Sequence, residues 1–450
     1  MPERLVIIGG DAAGMSAASN ARRQRPDLEI VALERGSRTS YSACGIPYLV
    51  AGDIANADQL VARTPQEFRD NQRIDVRLHH EATGIDLHAR KVEVRDHAHD
   101  RTLHVGFDQL LIATGAHPVR PALPGIDLPF VAGVQTVDDG EALLARARRG
   151  GCHDVVVVGG GYIGLEMAEA FVRWGAKVTM LEAAPHVMGT LDADMAEPVA
   201  SALRGVGVDV RTSTRVEGFE PGRVLLDDGH VDADLVVLGL GAAPSSGLAE
   251  AAGIDLGARG AIAVDRRQRT RTDGVWAAGD CAESRHLVSG RQVHVALGTV
   301  ANKQGRVAGI NLGGGYASFP GVVGTAITKV CQTEVARTGL GEREADEAGF
   351  GWVSARVDTT VAAGYFPDPG AVTVKVLAER GTGRLLGGQI VGAEGSAKRI
   401  DTIATALTAG MSVFDVVDLD LAYAPPFSSV WDIVQVAARK AAAEVVADRP

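Results

Sequence analysis

The sequence predicts an α/β protein with two doubly wound parallel sheets followed by an α+β domain. Three observations predict it. An apolar strand runs into a glycine-rich turn and a helix at residues 6–14 (VIIGGDAAG), and the same grammar returns at residues 155–164 (VVVVGGGYIG). Each unit then closes on a second apolar strand that ends in a glutamate, Glu34 and Glu182, giving the length of a βαβ unit. From about Val323 the chain turns strand-rich and ends in two helices with no further glycine-turn signal.

Taken in order, the first unit reads as strand 5–8, helix 13–25 and strand 30–33. Alternating residues such as 92–95 then predict mixed strands leading to LLIATGAHPVRP, and the Arg- and Gly-rich stretch 145–153 approaches the second unit. That unit reads as strand 155–158, a helix to about Trp174 and strand 177–181. After GVWAAGDCAE comes a helical stretch, 296–312, then GGGY as a linker, and strands at 373–378 and 385–391. The pair His79-His80 falls in a strand-like stretch without further ligand spacing and reads as surface.

Composition narrows the function classes. At 450 residues the chain holds two or three domains, each able to bury a core. Hydrophobic residues at 46% and charged residues at 22% are those of a soluble globular protein. A net charge of −11 argues against nucleic acid or an anionic membrane as partner. No apolar run has the length of a membrane-spanning helix and the start of the chain shows no signal-peptide pattern, so a cytoplasmic location is expected. The four cysteines, Cys44, Cys152, Cys281 and Cys331, have neither CxxC nor metal-ligand spacing, so neither a disulfide framework nor a metal is expected.

The second turn carries the full dinucleotide fingerprint, Gly159, Gly161 and Gly164. The first glycine makes the turn, the second lets backbone N–H groups approach a pyrophosphate, and the third permits close helix–strand packing. The phosphate then meets the positive end of the helix that carries Ile163 and Glu166. Glu182 stands where a carboxylate accepts hydrogen bonds from the adenosine ribose. Ala183 and Ala184 follow it, leaving no cation for a 2′-phosphate, so NADH is favoured over NADPH. In the first turn Gly9 and Gly14 hold the outer positions, Ala13 precedes the last, and Asp11 replaces the second glycine; Glu34 supplies the carboxylate. Two sites on one chain point to FAD at one and NAD(P)H at the other, although a purely structural βα connection remains the alternative for the first.

The segments ATG at Ala113, Thr114 and Gly115, and AAGDCAE around Gly279 and Asp280, together with GYIGLE, resemble the signatures of the pyridine nucleotide-disulfide reductase superfamily. The resemblance covers nearly the whole chain. It implies two Rossmann-like domains, an FAD domain (1–118 and 246–322) interrupted by an NAD(P)H domain (119–245), and a dimer-interface domain (323–450). It also implies that Asp280 bonds the flavin ribityl chain. Members that reduce an internal disulfide carry a second cysteine five residues after the first; here that position is Leu49. SYSACGIPY, with Cys44, instead resembles the single-cysteine branch of coenzyme A-disulfide reductases, NADH oxidases and NADH peroxidases. A single thiol cycles through a mixed disulfide or a sulfenic acid. The following helix N-terminus and a nearby flavin are expected to favour its thiolate. The other three cysteines read as structural.

The same resemblance implies further residues. Peroxidases and oxidases of the branch place a histidine where this chain has Ala12, which favours disulfide chemistry. Tyr423 (in LAYAPPFSSVWD) and Tyr365 (in AGYFPDPG) are implied to reach the partner subunit's thiol in a homodimer; simple packing at the interface is the alternative. Ser16, Asn20, Arg23 and Ser40 are implied to contact coenzyme A, with a solvated helix-end cation the plain alternative for Arg23. Ala43 departs from the asparagine common before the cysteine in coenzyme A-disulfide reductases. The expected activity is FAD-dependent, NAD(P)H-driven reduction of a low-molecular-weight disulfide, with coenzyme A disulfide the leading substrate. An NADH oxidase, a flavin reductase serving a redox protein, and a non-enzymatic flavin redox sensor are the rivals.

Overall fold

The computed structural model describes residues 3–448. Its first parallel sheet has the strand order Val275–Ala277, Gln109–Ile112, Arg4–Ile8, Glu29–Leu33, Ile74–Arg77. The second runs Asp209–Arg211, Lys177–Leu181, Asp154–Val158, Leu235–Leu238, Val131–Gly133. The central strands Arg4–Ile8 and Asp154–Val158 are near-continuous apolar runs buried on both faces, the pattern that parallel sheets with helices on each side require. Because Val275–Ala277 pairs with Gln109–Ile112, the first sheet is completed by chain that follows the whole of the second. The chain crosses between them through Ala116–Pro118 and Ala242–Pro244, which pair antiparallel.

Two three-stranded antiparallel sheets, 80–106 and 216–232, flank the parallel ones. The last part of the chain builds a five-stranded antiparallel sheet in the order Ala326–Val330, Thr333–Gly339, Leu385–Gly392, Ala371–Glu379, Trp352–Thr360. Helices Ile400–Ala409 and Ile433–Ala447 share its buried core.

The expected elements sit within a few residues of the observed ones, with four differences. Among the described residues three α-helices, not two, follow the last strand, because Ser412 and Asp415 form a capping box that starts the short helix Val413–Val417. Residues 313–316, expected as a linker, form a closed turn: the N–H groups of Gly313, Gly314 and Gly315 satisfy the last carbonyls of helix Gly298–Leu312, and Asn311 holds Ala317. The first half of 145–153 completes helix Val137–Arg148. His79 is exposed as expected, but His80 is half-buried, bonded to Leu78 O at 2.7 Å and 3.9 Å from the buried Asp96 carboxylate.

Candidate active site

The two glycine turns are built alike. Gly9 and Gly159 have φ of +110° and +101°, open to glycine without strain, and a Cβ on either would strike Ala113 O or Gly239 O. Gly14 and Gly164 lie so close to the preceding turn that a Cβ would stand 1.9 Å from Gly9 O and 2.0 Å from Gly159 O. Gly161 differs: the nearest protein atom to its missing Cβ is 3.8 Å away. Protein packing does not require a glycine there, whereas close approach of a ligand to the backbone does. Ile163 is exposed at the same helix end.

Each turn is tied to its glutamate. Glu34 accepts from Gly10 N (2.8 Å) and Gly36 N (2.7 Å); Glu182 accepts from Gly160 N (2.7 Å) and Ala184 N (2.7 Å). At the end of the first sheet Thr114 donates to Ser245 O at 2.6 Å, and Gly115 turns the chain with φ +70°. Gly279 packs its left-handed backbone on Ala13 and donates to Gln304 Oε1 at 2.7 Å. Beside it Asp280 keeps a buried carboxylate oxygen, Oδ1, with no protein partner. Burial pushes this carboxyl above its usual range, offset in part by His294. A buried acceptor of this kind fits a ligand that brings a hydroxyl donor.

Cys44 stands between the two turns, in the short 3-10 turn Ala43–Gly45 that leads into helix Ile46–Ala51. It is free and exposed. Its neighbours bear on the expected thiolate in the opposite sense: partial desolvation in the cleft, then the carboxylates of Glu166 and Asp280, push the thiol above its usual value. Only a local backbone hydrogen bond pulls the other way, and a helix of six residues supplies a weak dipole. Asp11 accepts from Tyr41 N at 3.0 Å and sits close enough to Glu34 and Asp280 to feel both. Burial, together with those charges, pushes its carboxyl up to about 7. Ser40, at φ +50°, donates its N–H to Gly10 O at 3.0 Å and so locks the cysteine loop onto the first turn.

Glu166 lies on helix Tyr162–Arg173, where burial pushes its carboxyl up and the Thr328 hydroxyl, donating to Oε1 at 2.7 Å, pulls it down. Ser16, Asn20 and Arg23 follow one another along one face of helix Ala12–Gln24. Ser16 donates to Asn302 O, Asn20 to Ser16 O, and Arg23 to Asn20 Oδ1. Tyr365 and Tyr423 interact with each other on an exposed surface patch that also carries Phe366, Phe427, Val430 and Trp431. Arg399 braces the patch by bonding Val361 O and Phe427 O and pairing with Asp432 at 3.1 Å. Within one chain neither tyrosine is among the groups that weigh most on Cys44. Of the remaining cysteines, Cys152 and Cys281 are buried, Cys281 against Ile112 O and Ala278 O, and Cys331 is half-buried.

Three contributors escape sequence reasoning. Thr39 is buried and its hydroxyl donates to Gly10 O, a role hinted at only by its place before the cysteine loop. Tyr48 follows Cys44 by four residues, one helical turn, and faces Glu166. Thr328 comes from the five-stranded antiparallel sheet, hereafter the third sheet, and no local spacing links it to a residue 162 positions away.

Residues 3–305 match the family described as pyridine nucleotide-disulphide oxidoreductase, and residues 325–433 match its dimerisation domain. A NAD(P)H sulfur oxidoreductase (CoA-dependent) of Pyrococcus furiosus is 39% identical over 441 residues, which is 97% of this chain and 98% of that protein. Among solved structures, a NAD-dependent persulfide reductase from A. fulgidus is similar with a TM-score of 0.95 and 38% identity, covering 99% of this chain and 84% of that one. Reduced CoADR-RHD of Bacillus anthracis is similar with a TM-score of 0.96 and 31% identity, covering 99% and 81%. The chain therefore belongs to the pyridine nucleotide-disulphide oxidoreductases, and it is an enzyme of that family that uses FAD and NAD(P)H.

Proposed function

We propose that this enzyme uses NADH to reduce the sulfur–sulfur bond of a small coenzyme A derivative, a disulfide or a persulfide, through Cys44. One observation carries the reading: the single exposed thiol lies within electrostatic reach of both Asp280, at the first sheet, and Glu166, on the glycine-turn helix of the second. The names of similar proteins, which act on sulfur and mention coenzyme A, support the substrate class.

Gly9, Asp11, Ala13, Gly14, Glu34, Ala113, Thr114, Gly115, Gly279 and Asp280 would hold FAD, the unpaired Asp280 oxygen receiving a ribityl hydroxyl. Gly159, Gly161, Ile163, Gly164, Glu166 and Glu182 would hold the nicotinamide dinucleotide, with Glu182 on the ribose. When bound, the flavin supplies a two-electron link between NADH and sulfur. Cys44 attacks one sulfur of the substrate, forming a mixed disulfide and expelling the first thiolate. Two electrons originating from NADH then cleave that mixed disulfide, restoring the Cys44 thiolate and freeing the second thiol. The balance is NADH, a proton and one disulfide giving NAD⁺ and two thiols, or, with a persulfide, NAD⁺, one thiol and hydrogen sulfide. A homodimer would bring Tyr365 and Tyr423 of one subunit to the other's Cys44, where a phenol donates to the departing sulfur. Ser16, Asn20, Arg23 and Ser40 would line the coenzyme A path, with Arg23 on a phosphate.

The test is anaerobic NADH consumption with coenzyme A disulfide and with coenzyme A persulfide, beside an air-saturated reaction without either. Turnover that needs the sulfur substrate and disappears in Cys44→Ser supports the reading. Turnover with oxygen alone overturns it in favour of an oxidase.

A further inference from the structure

Glu166 is a half-buried carboxylate that forms no ion pair among the described residues. The titratable groups facing it are Glu169 and Tyr162 on its own helix and Cys44 and Tyr48 across the cleft, none of them a cation. The donor that steadies Glu166 is the Thr328 hydroxyl, at 2.7 Å. Thr328 is buried on strand Ala326–Val330, and its neighbour across the hairpin is Val335. Further ties join the same two parts of the molecule. Cys331 N donates to Glu169 Oε2 at 2.8 Å. Arg337 donates to Thr190 O at 2.7 Å and pairs with Glu344. Lys375, 5% exposed, is surrounded by Asp192, Asp194 and Glu342 at 3.1, 2.8 and 2.7 Å. The seam reaches the glycine turn itself, because Met188 N donates to Gly160 O and Val187 packs on Gly160.

We propose, given the reading above that Glu166 faces the pyridine nucleotide, that Thr328 is a positioning residue, through which the docked third sheet fixes the Glu166 carboxylate for nicotinamide binding. A hydroxyl that donates to one carboxylate oxygen sets the orientation of the group and leaves the other oxygen able to accept from a carboxamide N–H. It also favours the charged form, so its loss raises the pH at which Glu166 stops accepting.

The experiment is calorimetric titration of the flavin-loaded enzyme with NAD⁺ between pH 5 and 8, for wild type, Thr328→Val, Thr328→Ser, Glu166→Gln and the Val/Gln double variant. Thr328→Val is expected to weaken NAD⁺ roughly tenfold, the scale of one hydrogen bond to a charged group. It should also move the acid-side loss of binding to higher pH. Thr328→Ser should restore both, and in the Glu166→Gln background Thr328→Val should cost nothing more. Wild-type binding in Thr328→Val beside weakened binding in Glu166→Gln overturns the role of Thr328 and leaves the reading of Glu166 standing. Unchanged binding in Glu166→Gln overturns that reading first. Weakening without a pH displacement or rescue by Ser marks a merely structural role and also overturns the proposal. Should Thr328→Val lose its flavin, Thr328→Cys, a weak donor of similar size, decides the matter: intermediate binding supports the role and wild-type binding overturns it.

Discussion

Glu34 and Glu182 do the same work in successive domains: each carboxylate ties the second residue of its glycine turn to the backbone two residues beyond itself. The turn is thereby held open in one shape before any ligand arrives, and each carboxylate retains lone pairs for a ribose. Glu182→Ala is expected to weaken NADH half-saturation by about ten- to a hundredfold, from the loss of hydrogen bonds to a charged group. Flavin content should stay near that of wild type. Glu34→Ala should reverse the pattern, with flavin lost on dialysis and NAD⁺ affinity kept. Flavin absorbance and NAD⁺ titration of both variants check it, and equal effects on both ligands would refute the division of roles.

Two glycines of one fingerprint answer to different constraints. At Gly164 an added methyl meets Gly159 O at 2.0 Å, so Gly164→Ala must displace the helix from the strand and is expected to lower the thermal midpoint by several degrees. At Gly161 the space is open, so Gly161→Ala should leave that midpoint unchanged and weaken NADH severely. Thermal unfolding alongside NADH titration separates the two. A stable, tightly binding Gly161→Ala would show that nothing approaches that backbone.

Asp11 gives a pH dependence with a definite sign. Its carboxyl titrates near 7 in the folded protein and at about 3.8 when unfolded, so between those values the folded state binds more protons. Stability therefore falls as pH rises from about 4 to 7, and the deficit is complete above 7. At ~1.4 kcal/mol per unit, the deficit is at most roughly 4 kcal/mol. Asp11→Asn can still accept from Tyr41 N and carries no charge. In flavin-free protein its thermal midpoint should exceed that of wild type by more at pH 8 than at pH 5. A gap of equal size at both would sink the account.

Much of this is legible in the sequence because it is local. Glycine spacing, apolar runs and terminal glutamates lie within about thirty residues of one another, so the two βαβ units and their carboxylates can be read directly. Cys44 is legible for the same reason. What escapes reading depends on contacts across the chain. Thr328 meets Glu166 only because the third sheet docks on the second domain, and Lys375 meets Asp192 and Asp194 in the same way. The carboxylates that act on Cys44 escape reading too, because Glu166 and Asp280 converge on the thiol only in the fold. That GGGY forms a closed turn escapes too, since composition does not show that Asn311 bonds Ala317 across it.

The convergence on Cys44 yields the final prediction. Two carboxylates from different domains raise the thiol, so removing either charge must lower its pKa and increase the thiolate fraction at neutral pH. Thiolate, not thiol, reacts with iodoacetamide. In reduced, flavin-free protein, Glu166→Gln and Asp280→Asn should each speed alkylation of Cys44 at about pH 7.5, roughly by a few-fold. Glu166 stands before Asp280 among the charges that act on the thiol, so Glu166→Gln should have the larger effect. The two changes together should approach the product of the single effects, since the carboxylates come from separate elements. Peptide mapping assigns the alkylated site, and Cys44→Ser sets the background from the other three cysteines. Alkylation slower than wild type in both variants would mean that these carboxylates assist the thiolate through a proton or a bound cation rather than oppose it, and the electrostatic account of the site would have to be abandoned.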